Sequence, residues 1–190
     1  MKTTFSQSVL IVAIVTGVLL SIPLIAMQFS NEVDWSAADF IVMGALIFGI
    51  GFSYVLITRY VTNLVYRIAV AMALGSTFLL IWANLAVGLI GSGPNAANLM
   101  YIGVIAVGIV GTILSRFTAG GMERAMYLMA GSLIVIAAIL LVTNIYQRTD
   151  SSVTEVIAVN SFFAGLFAVA GLLFRYVALE HTNRTENSRS

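Results

Sequence analysis

IWANLAVGLIGSGPNAANLMY, residues 81–101, closes one long apolar run, crosses a short loop that carries no charge, and opens the next run. On both sides the apolar residues are continuous rather than alternating. Each side therefore reads as a helix that satisfies its own backbone groups, not as a barrel strand with one lipid face and one wet face. The fold class expected is all-α: a polytopic membrane helix bundle. The stretch also gathers Trp82, Asn84, Gly88, Gly91, Gly93, Pro94, Asn95, Asn98 and Tyr101, the densest group of polar and punctuating residues on any apolar part of the chain.

Working outward, comparable runs occupy 9–27, 38–58, 68–90, 99–115, 125–146 and 156–178. Each is long enough to cross a hydrocarbon core of about 30 Å, which takes about 20 helical residues. They predict six transmembrane helices in a single domain over 1–182, followed by a polar cytoplasmic tail at 183–190. Composition agrees: 60% of the 190 residues are hydrophobic and 9% charged, with a mean hydropathy of +1.02, where soluble domains carry roughly 25% charged residues. The first run follows Lys2, as a signal peptide would, but it is long for one and Ile25-Ala26-Met27-Gln28 offers no small-x-small cleavage site, so the helix is expected to be retained.

Basic residues set the expected orientation. With the N-terminus inside, Lys2, Arg59, Arg67, Arg116, Arg124, Arg175, Arg184 and Arg189 collect on the inner side and Arg148 alone on the outer, a positive-inside pattern that puts both termini in the cytoplasm. Three inward-running helices end on Arg plus an aromatic, at Arg59-Tyr60, Arg116-Phe117 and Arg175-Tyr176, spaced 57 and 59 residues apart. That spacing suggests three related hairpins, although snorkelling Arg and interfacial aromatics are common at any such helix end.

Several chemistries are excluded. A net charge of +1 gives no field to attract nucleic acid. No cysteine is present, and the one histidine, His181, lies beyond the last apolar run, which removes thiolate, haem, zinc and copper chemistry; no cofactor is expected. No nucleophile and base are paired, and no charged residue lies near the centre of a run, so neither an enzyme nor a proton-coupled transporter is expected.

Polar side chains cluster instead toward the outer half: Trp82 and Asn84 on the third run, Thr143 and Asn144 on the fifth, Asn160 and Ser161 on the sixth, Asp39 at the mouth of the second. By depth they suggest an outward-opening pocket with Asn95, Asn98 and Tyr101 as its rim. Neutral amides both donate and accept, which suits a neutral polar ligand or a lipid headgroup; the plainer reading is interhelical hydrogen bonding, worth about 1 kcal/mol or less per bond. In the first outer loop Ser36 and Asp39 have capping-box spacing, Trp35 reads as an interface anchor, and Asp34 with Asp39 reads as solvated acids rather than a metal site. Small-residue stripes at Ala45/Gly49/Ser53, Gly108/Gly111/Thr112/Ser115 and Ser161/Ala164/Gly165/Ala168/Gly171 suit close helix packing, within the chain or toward another copy or subunit.

SIPLIAMQFSNEVDW, DFIVMGALIFGIGFSY, NLAVGLIG and NAANLMY together resemble a family of small multi-pass bacterial inner-membrane proteins, most specifically over Trp82 to Tyr101. The family's loop often reads Ser-Glu-Asp-Asn-Pro-Ala-Asn; here it is Ser92-Gly93-Pro94-Asn95-Ala96-Ala97-Asn98, without the acids. The resemblance implies a bacterial inner-membrane location and supplies no activity and no catalytic residue. The function expected is that of a non-enzymatic membrane protein, a scaffold or accessory subunit or a binder of membrane lipid; the alternative is a passive facilitator for a small neutral solute.

Overall fold

The computed structural model describes residues 4–30, 32–91, 95–149 and 151–187. Lys2, Ser92, Gly93, Pro94 and Arg189, all used in the sequence reading, lie outside these residues. Among the described residues the protein is all-α, with six helical segments long and apolar enough to cross a membrane, the fourth of them Ala96–Leu114 with its opening 3-10 turn counted; the α-helices are α1 Phe5–Phe29, α2 Ala37–Thr58, α3 Leu64–Ala86, α4 Met100–Leu114, α5 Ala119–Val142 and α6 Val153–Asn187. It is a multi-pass membrane protein. Its internal contacts group into two compact units, Met1–Val61 and Thr62–Ser190.

In the first unit, Thr4 and Gln7 form a capping box on α1, and Ser36 and Asp39 form the expected one on α2. The helices pack where α2 carries Gly44 and Gly51: a methyl on Gly51 would lie 2.7 Å from Val12 Cγ1, and one on Gly44 would lie 3.2 Å from Leu20 Cδ1. Glycine suits Gly51 because the opposing Val12 is β-branched and stiff at χ1, and both its methyls and its Cβ lie within 3.6 Å of where a methyl would stand. The stripe predicted at Ala45/Gly49/Ser53 does not supply this contact, since a methyl on Gly49 meets nothing within 4 Å. Phe5 and the guanidinium of Arg59 close the pair at one end, 4.5 Å apart.

The second unit is built on regular seams. Buried positions on α6 run Val156, Asn160, Phe163, Phe167, Ala170, Phe174, Val177, and on α5 Met122, Met126, Met129, Leu133, Ile136, Leu140. Both alternate steps of three and four, the spacing of coiled-coil contact faces. Tyr66, Ala69, Ala73, Ser76 and Leu80 repeat the pattern on α3. α4 lies against α5 through its small face: a methyl on Gly111 would sit 2.9 Å from Ala125 Cβ, and one on Gly108 2.6 Å from Met129 Sδ. This stripe therefore packs within the chain.

Between α4 and α5, Arg116 (φ 48°) and Phe117 (φ 59°) are consecutive left-handed residues, a conformation that costs a side-chain-bearing residue about 1–2 kcal/mol. Tyr66 holds the turn by donating its hydroxyl to the Phe117 carbonyl at 2.5 Å. Replacing Tyr66 with Phe is expected to cost about 1 kcal/mol, read as a lower melting temperature in detergent. The three Arg-aromatic pairs do not repeat structurally. Arg59 caps α2 in helical geometry, Arg116-Phe117 is left-handed, and Arg175-Tyr176 lies inside α6. The local chain, not a shared hairpin, decides each conformation.

Helix limits shift for physical reasons. α3 starts at Leu64 because Asn63 accepts the Tyr66 N–H and caps it; it stops at Ala86, four residues short of the predicted limit, because Gly88 turns left-handed at φ 75°. α5 begins before Glu123 and Arg124, and α6 continues through the polar segment to Asn187 where a tail is expected from 183.

Candidate functional site

The site grows out of the chain reversal after α3. Val87 donates its N–H to the Ala83 carbonyl at 3.1 Å, the last helical bond. Gly88 and Gly91 then adopt φ of 75° and 69°, which other L residues reach only at a cost. Between them Ile90 is fully buried. A buried loop must find partners for its backbone, and one side chain supplies them. Asn98 Oδ1 accepts from the N–H groups of Leu89 (3.0 Å) and Ile90 (2.9 Å), and its Nδ2 donates to the Ile90 carbonyl (3.3 Å). The amide thus pairs with Ile90 much as a neighbouring strand would. Ser151, just before α6, fixes the far side by accepting the Gly91 N–H at 2.6 Å.

The return toward α4 begins with a 3-10 turn at Ala96–Leu99, capped by Asn95, whose Oδ1 accepts the Ala97 N–H at 3.0 Å. Asn84, in the last turn of α3, reaches this segment: its Nδ2 donates to the Asn98 carbonyl at 3.3 Å. The opposite orientation would set two oxygens face to face, so the amide is fixed. Its Oδ1 is buried and has no hydrogen-bond partner among the described residues. Asn84, Asn95 and Asn98, with Leu85, Ala86, Val87, Gly88, Ala96 and Leu99, wall a cavity of about 630 Å³. Its described walls offer a ligand amide groups among apolar side chains and no charged one.

A second cavity of about 470 Å³ shares Val87 and Gly88 with the first and extends along α6, past Glu155, Ala158, Val159, Phe162 and Phe163. Glu155 is held by a capping box in which its Oε2 accepts the Ser152 N–H (3.2 Å) and Ser152 Oγ accepts the Glu155 N–H (3.1 Å). Ser152-Val153-Thr154-Glu155 carries the S-x-x-E signature for this arrangement, so the cap was readable; the groove beneath it was not.

The other sequence candidates divide. Tyr101 and Asn160 meet: the fully buried tyrosine donates its hydroxyl to Asn160 Oδ1 at 3.3 Å, and Asn160 Nδ2 donates to the Val156 carbonyl at 2.8 Å. Both are therefore engaged between α4 and α6. Trp82 is 44% exposed and stacks on Phe78 with ring centroids 6.5 Å apart, walling neither cavity. Asn144 is exposed at φ 52° just beyond α5, a position where Asn is the commonest substitute for Gly. In the first unit Asp34 is exposed, Trp35 packs edge-on against Phe40 at 5.2 Å, and Asp39 Oδ2 accepts from both the N–H and the hydroxyl of Ser36 at 2.7 Å. Among the described residues no group of three His, Asp or Glu side chains is placed to hold a metal.

Comparison with protein-family models, with curated proteins and with solved structures returns no match.

Proposed function

We propose that the protein is a non-enzymatic, lipid-binding helical scaffold of the bacterial inner membrane, and that the cavity between the end of α3 and the start of α4 takes the polar part of a lipid. The observation that carries this reading is the unpartnered Oδ1 of Asn84. A buried acceptor without a donor costs about 1–3 kcal/mol; Asn84 walls the cavity, and a small turn of its amide would bring Oδ1 to a hydroxyl or ammonium of a membrane lipid and relieve that cost. The surrounding amides are unavailable to do so, because Asn98 is spent on the loop backbone and Asn95 caps the turn. Tyr101 and Asn160, the next polar groups along the helices, satisfy each other, which favours a bound headgroup over a polar path for a solute. The distribution of Arg and Lys in the sequence supports cytoplasmic termini and, with them, an outer-leaflet position for this cavity.

The test is to extract the protein gently into polymer discs and record its native mass. Wild type is expected to carry a stoichiometric lipid, and Asn84→Leu, which removes the acceptor, is expected to lose it by about tenfold in affinity. A bare polypeptide mass overturns the proposal. So does a neutral-solute flux in proteoliposomes that disappears with Asn84→Leu.

A further inference from the structure

We infer that the lipid held here carries a primary ammonium headgroup, whose N–H groups serve both the Asn84 amide and the Glu155 carboxylate across Val87 and Gly88, which wall both cavities, and that its acyl chain lies down α6 toward Phe162 and Phe163. The inference rests on the lipid-binding reading above and names the class of lipid.

Glu155, Ala158, Val159 and Phe162 follow steps of three, four and seven residues, so they share one face of α6, and all four wall the second cavity. Glu155 lies in the first turn of the helix, at the headgroup level of a span. Phe162 lies two turns deeper, about 10 Å along the axis. The groove thus has the polarity of a lipid along its length: a carboxylate at the rim and an apolar floor. Its volume of about 470 Å³ falls in the range of roughly 300–1,000 Å³ typical of sites for small molecules.

The sign of the charge selects the headgroup. Among the described residues no Lys or Arg walls either cavity, and the Glu155 carboxylate is bonded to Ser152 with no cation beside it. Its carboxylate also occupies the positive end of the α6 dipole, which would otherwise draw an anionic group. An anionic headgroup would meet repulsion. A quaternary ammonium would be attracted but has no N–H to donate. A primary ammonium gives both attraction and charge-assisted hydrogen bonds, about twice as strong as neutral ones. The capping bond uses Oε2, leaving Oε1 for the ligand.

The test uses the full chain in nanodiscs containing equal amounts of phosphatidylethanolamine, phosphatidylcholine and phosphatidylglycerol, with the lipid retained on release read by native mass spectrometry. Wild type is expected to retain phosphatidylethanolamine over phosphatidylglycerol by about tenfold, with phosphatidylcholine between them. Glu155→Gln keeps an oxygen for the Ser152 N–H, so the cap survives, and it is expected to bring the three lipids within about twofold. Lipid retained without preference, or with phosphatidylglycerol preferred, overturns the headgroup inference and leaves the lipid-binding reading standing. Wild-type selectivity that survives in Glu155→Gln overturns the assignment to Glu155. Retention of no lipid at all overturns both.

Discussion

Asn98→Leu is expected to lower the melting temperature of the purified protein by about 10 °C. The argument is a count of stranded groups. Leucine keeps the branching of asparagine and fills the site with a somewhat larger side chain, but it leaves the Leu89 and Ile90 N–H groups and the Ile90 carbonyl without the partner they have now. Two buried N–H groups at about 1–3 kcal/mol each give a loss of about 3–4 kcal/mol, and in a chain of this size each kcal/mol is worth about 2–4 °C. Asn98→Asp keeps an acceptor for both N–H groups and loses only the donor to the Ile90 carbonyl, so it is expected to fall between Leu and wild type. Thermal unfolding followed by circular dichroism in detergent checks the order. A leucine variant that melts with wild type would mean that the loop has other partners for its backbone.

The second large effect belongs to a glycine pair at the start of α5. A methyl on Gly121 would lie 2.9 Å from Ser115 Cα and 2.8 Å from Thr118 Oγ1, besides colliding with Ser115 Cβ. Ser115 is main chain of a turn already constrained by left-handed Arg116 and Phe117, so it cannot give way. Gly121→Ala is expected to cost about 3 kcal/mol, the upper end of overpacking losses. Gly120, its neighbour, has nothing within 4 Å of a built methyl, and Gly120→Ala is expected to gain up to about 1 kcal/mol from helix propensity. The two substitutions are chemically identical and adjacent, so melting temperatures displaced in opposite directions isolate the steric term. Equal shifts would show that the α4–α5 turn is free to move.

Most of the architecture was legible because a bilayer imposes length. Six runs of sufficient apolarity had to be helices, and they are. What could not be read was which face of each helix is buried, because both buried and lipid-facing positions are apolar. On α5, Met129 and Leu133 are buried while Leu128 and Ile134 are exposed, and nothing in their polarity separates them. Their spacing does, once the seam is known. Helix ends were misjudged for a related reason: Val87, Leu89 and Ile90 look like helix, yet Ile90 is a buried loop residue whose partners come from Asn98. At the candidate site the sequence found Asn84 and Asn98 together but also recruited Trp82 and Asn144 by depth alone. Depth carries no angular information. Glu155 went unnoticed as a site residue because acids at a span's end are ordinarily solvated, and only the groove under it gives the carboxylate a setting.

The length of α6 has a practical consequence. At 35 residues it reaches about 52 Å, against a hydrocarbon core of about 30 Å, and Arg184 stands nine residues, about 14 Å, past Arg175 along the axis. The helix therefore ends in a short stalk that holds an exposed arginine clear of the lipid. Trypsin added to sealed vesicles would find that bond from one side alone and clip it without disturbing the spans. A small loss of mass in right-side-out or inside-out vesicles then reports which way the whole polypeptide is threaded.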